Sequence, residues 1–167
     1  MATVAEPRWL DVEEQQAWRA FLAANRLLIE ALDRELQRDA GIPHTYYEIL
    51  VQLSESPQRT MRMSDLAARS LSSRSRLSHA VARLEDAGWV RRETCPTDKR
   101  GQLAVLTDEG FAKLEEAARG HVGAVRCHLF DQLTPQQVRQ MREISEAIVR
   151  GLGHEGAEEA IASLGGR

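Results

Sequence analysis

Several things are scarce in this chain. Among 167 residues there are two cysteines, Cys95 and Cys127, and five prolines, and aromatic side chains make up 5%. Two cysteines make no disulfide framework of the kind that holds small secreted domains together. No apolar run approaches the length needed to cross a bilayer, so no membrane partner is expected. The stretch from Met1 to Leu10 also lacks a basic segment followed by an apolar one, so no secretion signal is expected. A cytoplasmic location follows as the expectation. Lysine is rare as well, with Lys99 and Lys113 the two among 22 cationic residues, a bias that carries no mechanism. Catalytic signatures are missing. No glycine loop of the phosphate-cradling type occurs, and Ser75 and His79, four apart on one helical face, have neither an orienting acid nor an oxyanion-hole motif. The histidines and cysteines are too scattered for a dense metal-ligand motif. The chain therefore reads as no enzyme, with no cofactor and no metal.

What is present fits one soluble domain with a sizeable core: 43% hydrophobic and 28% charged residues. The formal charge is −3, but it is unevenly spread. Residues 59 to 102 hold ten Arg or Lys against five Asp or Glu, a local charge of +5, and the remainder carries −8. Concentrated positive charge of this kind suits a nucleic-acid backbone.

That basic segment also carries the clearest pattern. Ser64 to Ser70 reads as a short helix with Leu66 and Ala67 inward and Ala68 beside a neighbouring helix; a serine-rich turn follows over Leu71 to Ser73. From Arg74 a longer helix buries Leu77, Ala80, Val81 and Leu84 at helical spacing, and Gly88 caps it. Ser75, Arg76, Ser78, His79 and Arg83 then face outward. Next comes a hairpin, VRRETC and QLAVLT, joined by a longish loop PTDKRG whose tip carries Asp98, Lys99 and Arg100. A helix presenting hydroxyls and arginines beside a basic hairpin is a winged helix-turn-helix arrangement, in which the helix enters the major groove of double-stranded DNA.

These residues resemble the MarR family (multiple antibiotic resistance regulators). The resemblance rests on Leu84, Glu85 and Gly88 at the end of the recognition helix, on Asp98 and Arg100 in the wing, and on the exit Leu106, Thr107 and Gly110. It extends more weakly over residues 10 to 150. It implies a mainly α fold with a small β-wing, a winged helix-turn-helix flanked by N- and C-terminal dimerisation helices that interleave across a two-fold axis. It implies a wing arginine, Arg100, in the minor groove, with Asp98 orienting basic groups. It also implies a repressor released by a small-molecule effector, often phenolic or aromatic, held between the dimerisation helices and the DNA-binding lobe.

The flanks agree. A long helix is expected from Asp11 to Gly41, with Trp18, Phe21, Leu22, Asn25, Leu28, Ile29, Leu32 and Leu36 on one stripe. A helix after Pro43 draws apolar contacts from Tyr46 or Tyr47, Ile49, Leu50 and Leu53, and a short strand near Thr60 to Met63 pairs with the wing. Thr107 caps a helix whose inner side is Phe111, Leu114, Ala118, Val122, Val125 and Leu129. Thr134, Pro135 and Gln137 make a capping box for a last helix striped by Val138, Met141, Ile144, Ile148 and Leu152. Residues 1 to about 9 are expected to be disordered or loosely attached, and the tail beyond Gly151 to form one more weak turn or remain disordered. The parts are then 1–40, a segment with a dimerisation helix; 41–107, the DNA-binding lobe; and 108–167, further dimerisation helices and tail. A homodimer of this kind would address a pseudo-palindromic operator with half-sites roughly 10 base pairs apart.

The candidate DNA contacts are Ser73, Arg74, Ser75, Arg76, Ser78, His79 and Arg83 on the helix and Asp98, Lys99 and Arg100 on the wing. Arg91 and Arg92 at the strand base are read as phosphate contacts. Trp18, Arg26, His44, Tyr46 and Tyr47 are candidates for the effector cleft, with ordinary core aromatics the competing reading. Two other functions stay open: a redox- or metal-responsive regulator through Cys95 and Cys127, and a winged-helix protein-interaction module without DNA binding.

Overall fold

The structure, a computed structural model, describes residues 8–70, 73–96 and 98–153, with Lys99 and Arg100 described by backbone alone. Expectations for residues 1–7, Leu71, Ser72, Thr97 and the tail from 154 lie outside the described residues.

Helix α1 spans Val12–Ala40. Asp11 and Glu14 form its capping box, each carboxylate accepting from the other's backbone N–H at 2.8 and 2.9 Å, and Gly41 ends it in the left-handed region at φ 68°. Helix α2, His44–Glu55, starts at Pro43, which brings no capping side chain. Asp33 of α1 supplies the missing acceptor, taking the His44 N–H at 2.8 Å. Strand β1 (Thr60–Arg62) leads into α3 (Met63–Arg69) and α4 (Arg74–Asp86), then β2 (Val90–Cys95) and β3 (Asp98–Leu106). The sheet is antiparallel with β3 central, order β1-β3-β2. Helix α5 (Asp108–His128) follows, then a 3-10 turn and α6 (Pro135–Leu152) with the expected Thr134–Gln137 capping box.

The core sits in the lobe. Ile42, Ile49, Leu50, Leu53, Leu66, Leu77, Val81, Leu84 and Val90 are fully buried. The four residues expected to face inward on α4, Leu77, Ala80, Val81 and Leu84, are its buried ones. After α4, Gly88 takes a φ of 77° and the Trp89 N–H reaches back to the Leu84 carbonyl at 2.9 Å, so the chain reverses into β2.

The flanking helices depart from the sequence reading. On α1 only Leu32 and Leu36 are buried, while Trp18, Phe21, Leu22 and Ile29 are about half exposed. On α5 the inward residues are Leu114, Ala117 and Ala124, with Val122 pointing out. The reason is close approach: alanines let α5 lie near α1, whereas the larger Val122 lies on the face left open. Ala68 likewise is exposed, and Ala67 is the small residue buried in α3. Helix α6 is amphipathic yet buries none of its residues. An apolar groove of about 580 Å³ runs between α1, the end of α5 and α6, lined by Phe21, Leu28, Leu129 and Met141 among others.

Candidate nucleic-acid interface

Ser73 begins the interface. Its hydroxyl accepts the Arg76 N–H at 3.3 Å, capping α4, and the helix then carries Arg74, Ser75, Arg76, Ser78, His79 and Arg83 on an exposed face. Opposite them, Leu77, Ala80, Val81 and Leu84 are anchored in the core. Hydroxyls and guanidinium groups thus project from a rigid support, which is what a groove-reading helix needs.

The wing is tighter than the loop expected. β3 begins at Asp98, whose partner is Cys95, so only Pro96 and Thr97 connect the strands. The next partner pair is Thr94 with Gln102, and the extra residues Lys99, Arg100 and Gly101 form a bulge in β3. Asp98, Lys99 and Arg100 therefore belong to a strand rather than to a loop tip; where the Lys99 and Arg100 side chains go lies outside the described residues. The Asp98 carboxylate faces Arg62 of β1 at 3.8 Å, so the wing is braced against the start of α3. A Cβ on Gly101 would crowd both partners, at 3.2 Å each, and the absence of one lets the bulge close over them. Between this brace and α4 lies a cleft of about 390 Å³ bordered by Arg62, Ser64, Arg74, Ser78 and Gln102.

Arg91 and Arg92 diverge. Arg91 is exposed and paired with Glu93 at 2.7 Å. Arg92 turns inward, its Nη2 donating to the Ser78 carbonyl at 2.8 Å and its backbone N–H to Glu85 at 3.1 Å. Arg62 and Arg59 are the residues that sequence reasoning did not place at the site, and Glu85, read there as part of the helix-end motif, is the partner of Arg92. Arg59 lies 3.8 Å over the Phe111 ring and pairs with Asp108 at 3.1 Å, linking the lobe to α5. Nothing but charge signals Arg62 and Arg59 in the sequence, since each acts through a partner distant along the chain.

The five residues proposed for an effector do not come together. Arg26 and His44 border one open cleft of about 670 Å³, shared with Glu30, Asp33 and Glu48. Trp18 instead stacks on Phe21 beside the apolar groove, at 6.4 Å. Tyr46 is half-buried against the core and Tyr47 is buried. The Tyr47 ring lies 4.4 Å from that of His121, which in turn lies 5.5 Å from His44. Burial pushes the His121 imidazole below its ordinary value, with His44 adding to the effect, and burial raises the Tyr47 hydroxyl with help from Glu55. Cys95 is buried in the wing and Cys127 is exposed at the end of α5. Among the described residues no group of three or more His, Cys, Asp or Glu could hold a metal ion.

Known proteins share this arrangement. The model of the MarR family matches residues 40–101, which span the winged lobe. The solved structure of Sco3205, a MarR family transcriptional regulator from Streptomyces coelicolor in complex with DNA, is 58% identical, with a TM-score of 0.86 over 89% of this chain and 92% of that one. The chain belongs to the MarR family. AbsC, another MarR family transcriptional regulator from Streptomyces coelicolor, is 44% identical, with a TM-score of 0.84 over 89% of this chain and 100% of that one. The HTH-type transcriptional regulator PecS of Dickeya dadantii (strain 3937) is 29% identical over 114 residues, 68% of each chain. The winged helix-turn-helix fold and its flanking helices are thus those of MarR proteins, and the chain is a transcriptional regulator rather than an enzyme.

Proposed function

We propose that this MarR protein is a homodimeric, sequence-specific DNA-binding regulator, a repressor whose operator is released when a small molecule binds. The observation that carries the DNA reading is the exposed Arg74–Arg83 face of α4, set beside the wing and backed by a buried apolar stripe. Sco3205, more than half identical, was solved in complex with DNA, which supports the same partner here. Ser73, Arg74, Ser75, Arg76, Ser78, His79 and Arg83 meet the major groove. Asp98, Lys99 and Arg100 bring the wing to the backbone or minor groove, and Arg91 reaches a phosphate.

Dimerisation rests on the faces left open. Trp18, Phe21, Val122, Ile144, Ile148 and Leu152 are each at least 43% exposed on helices outside the lobe. Exposed apolar side chains on helices that flank a groove suit a partner surface, and a second copy would close the groove between α1 and α6. The division at 40 and 107 then separates dimerisation helices from the lobe. No described helix is long and apolar enough to cross a membrane, in keeping with a cytoplasmic regulator.

For the effector, the Arg26–His44 cleft lies between α1 and α2, where ligand binding would shift the lobe against the dimer. Release then follows from a change in the spacing of the dimer's two recognition helices, and a ligand moves that equilibrium only through different affinities for the two spacings. A hydroxybenzoate is the first probe. Oxidation at Cys127 is the second reading, favoured by its exposure alone.

The test is a salt titration of binding to the DNA upstream of the protein's own gene, with Arg76→Ala and Arg100→Ala beside wild type. Selective, salt-dependent binding lost in both variants is the expected result. A verified dimer that binds no DNA, even at low salt, would sink the reading in favour of a protein-interaction module.

A further inference from the structure

Strand β2 is an edge strand, paired with β3 on one side only. An edge strand carries outward backbone groups that need partners. At Arg92 the N–H finds the Glu85 carboxylate, 3.1 Å away on the last turn of α4. The side chain of the same residue then runs back along the helix, its Nη2 donating to the Ser78 carbonyl at 2.8 Å. Its Nε is buried, has no hydrogen-bond partner and stands 3.7 Å from the other Glu85 oxygen. The side chain is 23% exposed, against 57% for Arg91 next to it. One residue of the wing therefore grips α4 at two points, Ser78 and Glu85, about 10 Å apart along the axis at 1.5 Å per residue. A slide or roll of α4 against the wing breaks one grip or the other.

We infer that Arg92 is a positioning residue which, with Glu85, sets the recognition helix against the wing, and that it is not a phosphate contact. This rests on the proposed DNA reading. Reading a base edge depends on sub-ångström placement of Ser78, Arg74 and Arg76, whereas holding a phosphate tolerates more freedom. Loss of the clamp therefore lowers discrimination between sequences. It leaves the count of neutralised phosphates, and so the salt slope, unchanged.

The experiment takes a duplex enriched by the wild-type protein from a random-sequence pool and a scrambled duplex of the same length. Affinity for both is measured across a salt series for wild type, Arg92→Ala, Arg92→Lys, Glu85→Ala and the Arg92→Ala/Glu85→Ala double variant, each checked for folding by its melting curve. The expected result is a fall of roughly tenfold in the ratio of the two affinities for each single variant, the scale of one misread base pair. The salt slope should match wild type, and the double variant should lose little more than either single one. Lysine keeps the charge but not the forked reach, so Arg92→Lys should behave like Arg92→Ala. A slope flattened by about one in Arg92→Ala, with the ratio preserved and lysine restoring binding, would identify a phosphate contact and overturn the inference. An unchanged ratio in Glu85→Ala would overturn it too, and Arg92→Lys with Glu85→Ala decides the matter even where Arg92→Ala fails to fold. Should wild type enrich no duplex, the DNA reading itself fails, an outcome plainly distinct from a wild type that binds selectively and variants that keep its selectivity.

Discussion

Gly110 lies directly against the main-chain carbonyl of Trp89, so close that a Cβ at this position would overlap the carbonyl oxygen and also meet Leu106. Around this contact the Thr107 hydroxyl donates to the Gly88 carbonyl at 2.7 Å and accepts the Gly110 N–H at 2.9 Å. The first turn of α5 is thereby docked onto the junction of α4 and β2. The glycine of the Leu-Thr-x-x-Gly exit is there for lack of a side chain, not for backbone freedom.

Gly110→Ala is accordingly expected to destabilise the fold. A backbone atom is the obstacle, so the relief must come from moving α5 or β2, and overpacking of this type costs roughly 3 kcal/mol. Urea unfolding would measure it. A variant as stable as wild type would mean that the α5 junction yields without strain.

His121 predicts a pH dependence. Its ring is packed on Tyr47 and near His44, its buried Nδ1 has no hydrogen-bond partner, and Glu35, Asp39 and Glu116 border the small cavity beside it without bonding to it. Burial holds the folded-state imidazole below the ordinary value of about 6.5. The unfolded chain then binds the proton more readily. Stability from this group is complete above the unfolded value and declines as pH falls through about 6.5, levelling off below the lower folded value. His121→Phe keeps a ring against Tyr47 and removes the proton site. The gap in urea midpoint between pH 7 and pH 5 should therefore narrow in the variant. An equal gap in both proteins would show that other groups govern the acid limb.

How much of this could be read beforehand depends on how local the cause is. The stripe Leu77, Ala80, Val81, Leu84 and the box Thr134, Pro135, Gln137 are set by neighbours within a turn or two, and both were legible. The Leu-Thr-x-x-Gly exit was legible as a pattern, though its reason, the Trp89 carbonyl, needed the fold. On α1 and α5 the apolar residues serve two surfaces at once, the chain's own core and an open face, so a single stripe could not be assigned a direction. Val122, read as inward, faces out for that reason, while Ala124 is buried. Arg92 was illegible because its partners, Ser78 and Glu85, lie on another element. Tyr47 is buried against His121, also on another element, and leaves the proposed effector cleft to Arg26 and His44.

The open faces give the next prediction. Ile144 is 60% exposed on α6, a helix with no buried residue of its own. In the proposed dimer it is covered by the second copy, and a carboxylate there would be buried without a partner. Ile144→Asp should weaken self-association by roughly thirtyfold or more, on the scale of a central interface residue. Helix content should be kept, because no core contact is lost. Sedimentation across a concentration series reads the outcome. Wild-type association in the variant would move the dimer contact away from α6.

Ser73 separates two roles that coincide at one hydroxyl. It caps α4 by accepting the Arg76 N–H, and in the proposed complex it faces DNA. Ser73→Ala removes the cap and should cost about 1 kcal/mol of stability, with a modest effect on DNA affinity. Ser73→Asp retains a capping oxygen and brings a negative charge to the positive end of the helix, so its stability should equal or exceed that of wild type. The same carboxylate would meet the phosphates. DNA binding should then fall by roughly tenfold or more, since like charges are opposed across an interface, and the loss should shrink as salt rises. Melting curves and fluorescence anisotropy on the same preparations separate the two effects. If Ser73→Asp bound DNA as wild type does, the start of α4 would face away from the duplex, and the reading side of the helix would have to begin a turn later, at Ser78.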